Sequence, residues 1–344
     1  MPRAGKVAVL GAGSWGTAVA TICARSAPTV LWARRPELAA EIGTRHRNAA
    51  YLPDLELPPA LDATASISDA VADAGLIVMA VPSHGFRSIL EQTVASVDPG
   101  VPVISLAKGL EQGSLMRMTE IAGDVLPGHP AGVLTGPNLA REVVAGQPTT
   151  SVVAIDDSEL GRDVQRLMST DTFRVYTNDD VIGCEIAGAL KNVMAIAAGM
   201  SDGMGFGDNS RAALITRGLA ELARLGVAMG GNPLTFAGLA GMGDLVATCI
   251  SPQSRNRHVG YQLGQGRVLA DVISEMNMVA EGVKTAPSVL ELAGRHYVEV
   301  PIVEQVVEVL SGRKTAREII PALMRREVKP ELHGLDLQEV ADRP

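Results

Sequence analysis

The sequence predicts an α/β domain built on a doubly wound, mostly parallel sheet, followed by an all-α domain. Three observations carry this. From residue 6 to about 178, short runs rich in Val, Ile and Leu alternate with helical stretches. Beyond Asp180 the strand signal fades and long helical patterns take over. The length of 344 residues fits about two domains at ~150 residues each. The boundaries are set at residues 1–180, 181–330 and a polar tail at 331–344. The expected strands are 6–10, 29–33, 76–81, 101–106, 132–135, 151–155 and 173–176. Their apolar runs lack alternation, as strands covered on both faces do. The expected later helices are 184–200, 210–229, 286–293 and 302–310. The second of them stops at Gly230-Gly231-Asn232-Pro233.

Composition narrows the function classes. With 47% hydrophobic residues the chain can bury a sizeable core, and a net charge of −8 argues against nucleic-acid or anionic-membrane binding. No run of ~18 uncharged apolar residues appears, so no membrane span is expected. Cys23, Cys184 and Cys249 lie scattered in apolar stretches, which fits buried thiols and a cytoplasmic location. None of the six histidines stands in a metal-ligand pattern, so no metal is expected.

Gly11-Ala12-Gly13-Ser14-Trp15-Gly16 is a G-x-G-x-x-G that follows a predicted strand and opens a helix, 17–25. In a Rossmann-type fold Gly11 allows the tight turn, Gly13 lets backbone amides reach a pyrophosphate, and Gly16 lets helix and strand pack. The second strand ends at Ala33 where an NAD site usually carries an acid, and Arg34 and Arg35 follow. Arginines there suit a 2′-phosphate, so NADPH is favoured and NADH remains admissible.

Lys108 follows the strand at 101–106, at the strand end where α/β sheets bind ligands. Lys191 stands on an otherwise apolar helix whose i±3 and i±4 positions (Ala187, Gly188, Met194, Ala195) hold no carboxylate. Either its ammonium snorkels to the surface, or it is buried and desolvated, which would lower its pKa and suit it to acid–base chemistry. A helix starting near Asp244 puts Asp244 and Thr248 on one face, able to orient that lysine or a substrate hydroxyl. Ser254 is a good N-cap for a helix from Arg255, and a helix start beside an arginine fork suits a phosphate. His84 reads as a loop histidine.

These motifs, together with Leu190-Lys191-Asn192, Gly136-Pro137, Gly238–Asp244 through Ser254-Arg255-Asn256, and Val279-Ala280-Glu281-Gly282, resemble the bacterial-type NAD(P)-dependent glycerol-3-phosphate dehydrogenases over about residues 6–330. The resemblance implies reversible reduction of dihydroxyacetone phosphate to sn-glycerol 3-phosphate, which would feed phospholipid synthesis. It implies Lys191 as the proton-transferring residue. It implies substrate contacts from Lys108, Gly136, Asn138, Asp244, Ser254, Arg255 and Asn256. It implies cofactor contacts from Ser14, Trp15, Arg34, Arg35, Lys108, Ala140, Arg255, Val279 and Glu281. At position 138 the family usually has a small hydroxyl residue, and this chain has Asn. A homodimer is common in such folds. Two other readings stay open: a reductase of similar plan acting on an unphosphorylated ketone or β-hydroxyacid, and a non-catalytic dinucleotide sensor.

Overall fold

The computed structural model describes residues 5–276, 279–331 and 333; most of the expected polar tail at 331–344 lies outside them. The chain divides into two compact units, Met1–Val181 and Ile182–Pro344.

The first unit is a sheet wrapped by helices. Its strands are β1 (Lys6–Leu10), β2 (Thr29–Trp32), β3 (Arg47–Asn48), β4 (Leu52–Glu56), β5 (Leu61–Thr64), β6 (Ala74–Met79), β7 (Val103–Ser105), β8 (Ala131–Thr135), β9 (Thr149–Ile155) and β10 (Phe173–Asn178). Eight form one sheet in the order β10-β9-β8-β7-β6-β1-β2-β5, while β3 and β4 pair separately as a small hairpin. All neighbours run parallel except β8 and β9, so the last two strands point the opposite way. Val7 and Val9 enter the core on one face of the sheet, and Ala8 and Leu10 the core on the other. Burial on both sides is why these strands read as unbroken apolar runs.

The chain runs outward from β1 in both directions, so β1 and β6 flank the topological switch point. Register then fixes where the loops emerge. Leu10 pairs with both Trp32 and Met79, Met79 with Ser105, and Ser105 with Val133. The loops after β1, β2, β6, β7 and β8 therefore leave along one edge of the sheet.

The expected strands are present with shifted ends, but β3, β4 and β5 were not expected. Each is short, and β4 and β5 carry Pro53, Asp54 and Asp62 where apolar residues would mark a strand. The first helix spans Ser14–Cys23, three residues earlier than expected, because Gly13 serves as its N-cap.

The second unit is helical, with no strand among its described residues. Its longest helix, Val181–Gly203, is apolar and long enough to cross a membrane, but 94% of its most apolar window is buried inside the protein, as in a core helix. It meets the Arg255–Gly264 helix backbone to backbone. A Cβ added at Gly199 or Gly260 would lie 2.0 Å from the Arg257 or Ile196 carbonyl oxygen. One at Gly203 or Gly264 would lie 2.2 or 2.4 Å from the Tyr261 or Met200 oxygen. Only glycine permits that approach. Glu221, on the Asp208–Ala228 helix, accepts hydrogen bonds from the Ile302 and Val303 amides and so caps the Pro301–Leu310 helix. Burial pushes its carboxyl up to about 7.

Candidate active site

In the first unit the glycine loop has the shape its spacing predicts. Gly11 sits at φ +124°, and a Cβ there would lie 2.6 Å from the Ala80 carbonyl oxygen. At Gly16 a Cβ would lie 1.9 Å from the Gly11 oxygen. These two glycines let β1, the first helix and the end of β6 close together. Gly13 differs: a Cβ there would meet nothing within 4 Å, so the backbone faces open space. The Ser14–Cys23 helix has no side-chain cap on its first turn. Small residues, open space at Gly13 and an uncapped helix start fit a dinucleotide pyrophosphate.

The flanking residues take up varied positions. Arg34 and Arg35 are exposed at the end of β2, and Arg35 lies 6.0 Å from the centre of the Tyr51 ring. The surroundings of Ala33 fit an adenosine 2′-phosphate better than a bare ribose. Trp15 packs on Phe173 with ring centroids 6.2 Å apart, its indole N–H buried without a hydrogen bond among the described residues. Lys108 donates to the Gly136 carbonyl at 3.0 Å, joining the loops after β7 and β8. Asn138 is engaged by β9: its Nδ2 donates to the Thr150 carbonyl at 3.1 Å and its Oδ1 accepts from the Ser151 hydroxyl. The Asn138 amide thus braces the Gly136 turn (φ +135°) against the sheet. Ala140 opens a short helix, Ala140–Val144. His84 is exposed in the single turn Ser83–Gly85.

In the second unit the long helix carries Lys191 into the interior, where it is 5% exposed. Snorkelling is therefore excluded. Its ammonium donates to Asp244 Oδ1 and, at 2.7 Å, to Thr248 Oγ1; Thr248 in turn donates to Asp244 at 3.2 Å. Asp244 is 1% exposed. The i,i+4 spacing on the Asp244–Ile250 helix, entered through one π-turn over Leu239–Gly243, places both partners on the lysine's side. The missing local carboxylate is supplied 53 residues along the chain. A buried ammonium held by a carboxylate and a hydroxyl has the chemistry to give or take a proton from a fixed position.

Next to Lys191, Asn192 accepts from Asn256 Nδ2 at 2.9 Å, and Asn256 Oδ1 accepts from the Gly282 amide at 2.9 Å. These bonds join the long helix, the Arg255–Gly264 helix and the start of the Glu281–Arg295 helix. Ser254 caps the Arg255–Gly264 helix by accepting from the Arg257 amide, as its sequence position predicts. Arg255 is exposed and donates to the Val279 carbonyl at 2.9 Å. Asn256 therefore has a bracing role that its place in a phosphate motif did not reveal. Glu281 is the first residue of its helix, and Val279 is partly exposed just before it. All three cysteines are buried thiols outside any disulfide, and burial pushes the Cys23 and Cys249 thiols up to about 12. No group of three or more His, Cys, Asp and Glu side chains placed to hold a metal occurs among the described residues.

Asn48 is a residue near the glycine loop that sequence reasoning passed over. It lies in the two-residue strand β3, and nothing in the local pattern marks it.

A sheet with this loop at its switch point, followed by a helical unit with a buried, acid-paired lysine, defines a dinucleotide-binding protein of the two-unit dehydrogenase type. The chain belongs to the NAD-dependent glycerol-3-phosphate dehydrogenase family: the family's N-terminal profile matches residues 6–161 and its C-terminal profile residues 180–321. It is 57% identical to a Sphingopyxis alaskensis protein named glycerol-3-phosphate dehydrogenase (NAD(P)+) 2, over 95% of this chain and 98% of that one. It is 50% identical to the Mycobacterium avium glycerol-3-phosphate dehydrogenase (NAD(P)+), over 96% and 98% of the two chains. The crystal structure of glycerol-3-phosphate dehydrogenase from Coxiella burnetii superposes with a TM-score of 0.90 at 37% identity, covering 94% of this chain and 99% of that one.

Proposed function

We propose that this protein interconverts dihydroxyacetone phosphate and sn-glycerol 3-phosphate with NADP(H), accepting NAD(H) as well, and so supplies glycerol phosphate for phospholipids from the cytoplasm. Within the family identity, the buried Lys191–Asp244–Thr248 group carries this reading. When bound, the nicotinamide cofactor supplies or receives the hydride at C2 of the three-carbon substrate. In the first unit, Gly11, Gly13, Ser14, Trp15 and Gly16 hold its pyrophosphate side, Arg34 and Arg35 its 2′-phosphate, and Lys108 and Ala140 line the same sheet edge.

The chain's own chemistry lies in the second unit. During reduction, negative charge develops on the C2 oxygen, and the Lys191 ammonium stabilises it and delivers a proton. In oxidation, Lys191 takes the proton from the hydroxyl. Asp244 and Thr248 hold the ammonium in place, and the negative charge of Asp244 offsets part of the cost of its burial. Arg255, at the start of its helix, attracts the substrate phosphate, a contact remote from the reacting carbon. Gly136 and Asn138 shape the turn that Lys108 contacts, and we assign Ser254 and Asn256 to shaping the phosphate end. The protein acts as a homodimer in this reading.

The test is the loss of reduced-nicotinamide absorbance with dihydroxyacetone phosphate against its unphosphorylated form. Turnover of the phosphorylated ketone alone is expected. Equal turnover of both, or cofactor binding without turnover of either, would refute the reading.

A further inference from the structure

The backbone of the glycine loop is held in place by a side chain from outside the motif. Asn48 is fully buried, and its Nδ2 donates to the Ala12 carbonyl at 3.0 Å and to Thr17 Oγ1 at 2.8 Å. The Ala12 carbonyl belongs to the same peptide unit as the Gly13 N–H. In a planar trans peptide the two point in opposite directions. Holding the oxygen against Asn48 therefore turns the Gly13 N–H the other way. The second bond reaches the first turn of the helix that follows, where the Thr17 amide also donates to the Gly13 carbonyl at 2.9 Å. That helix start has no side-chain cap of its own. The same segment touches the loop again through the Ser14 hydroxyl, which donates to the Tyr51 carbonyl at 3.3 Å.

The other end of Asn48 makes no such bonds: its Oδ1 is buried with no hydrogen-bond partner among the described residues. A buried acceptor left unpaired costs stability. The two donors are what the position uses, and an apolar residue there would leave the Ala12 carbonyl and the Thr17 hydroxyl without them.

We infer that Asn48 is a positioning residue for dinucleotide binding, fixing the Ala12–Gly13 peptide so that its N–H is presented to the cofactor pyrophosphate. The inference rests on the assignment of the glycine loop to the cofactor. The pyrophosphate is common to both nicotinamide dinucleotides. Loss of Asn48 must then weaken NADPH and NADH by the same factor, whereas the Arg34–Arg35 pair would alter their ratio.

The experiment measures the dissociation constants of NADPH and NADH by titration calorimetry on the full chain, wild type and Asn48→Ala, alongside far-UV circular dichroism and thermal melting. The expected result is a roughly tenfold rise in both constants, with an unchanged ratio and a kcat at saturating cofactor close to wild type. A folded Asn48→Ala protein that binds both with wild-type constants, or whose ratio changes, overturns the inference. Should that variant not fold, Thr17→Val removes one acceptor at constant shape and Thr17→Ser restores it. A raised constant in the first and a wild-type constant in the second supports the inference, and no change in the first overturns it. Failure of the wild type to bind either dinucleotide would instead defeat the assignment of the loop itself.

Discussion

Replacing Asp244 with Asn leaves the Lys191 ammonium buried without its counter-charge, and the structure sets the size of the effect. Lys191 is 5% exposed and Asp244 1%, so neither group can turn to water. Removing one partner of such a pair costs about 3–5 kcal/mol, mostly from the charge left behind. Lys191→Met strands the carboxylate and carries a similar cost. Replacing both, as Lys191→Met with Asp244→Leu, removes both stranded charges and should return stability to within about 1–2 kcal/mol of wild type. Closed with the single Asp244→Leu variant, the cycle should therefore show a coupling of at least about 3 kcal/mol. The assay is urea unfolding followed by far-UV circular dichroism. That signal reads the helical second unit directly, whereas both tryptophans, Trp15 and Trp32, lie in the first. An Asp244→Asn variant within about 1 kcal/mol of wild type, or single costs that simply add in the double variant, would refute the buried pair.

Other consequences can be measured separately. Lys191→Ala should lower turnover by ~10²-fold or more in a folded protein, and near-normal turnover would remove it from the chemistry. Arg255→Ala should chiefly raise the KM for the phosphorylated substrate in steady-state assays, with a smaller change in kcat. Glu221 has a folded pKa raised by burial to about 7, from an ordinary 4.5. Between those values the folded state holds the extra proton, so its contribution to stability is full below pH 4.5 and is lost as pH rises through 7. Glu221→Gln should remove that slope, a difference on the order of 3 kcal/mol between pH 5 and 8 in paired unfolding curves.

Much of this architecture was legible because buried parallel strands and core helices leave long apolar runs. The pairing of Lys191 with Asp244 and Thr248 was legible in part. An ammonium on an apolar helix demands a partner, and an i,i+4 acid and hydroxyl on a later helix could supply one. What the sequence hid depends on long-range packing. The short strands β3–β5 form where their neighbours allow, against their own polar residues. Asn138 and Asn256 each direct both ends of an amide by tertiary position, and Asn48 its donor end, which no spacing rule encodes. A phosphate motif suggests that Asn256 faces a ligand, yet its amide bonds Asn192 and Gly282.

The glycine-to-carbonyl crossing in the second unit limits how that unit can move. Where side chains separate two helices, one can roll on the other as rotamers change. Here the main chains themselves touch at four points, so there is no compliant layer to deform. Lys191 sits two turns before this junction on one helix, and Arg255 just before it on the other. Any displacement of Lys191 must carry Arg255 along as a single rigid piece, which fixes the span between the two ends of the substrate they are proposed to hold.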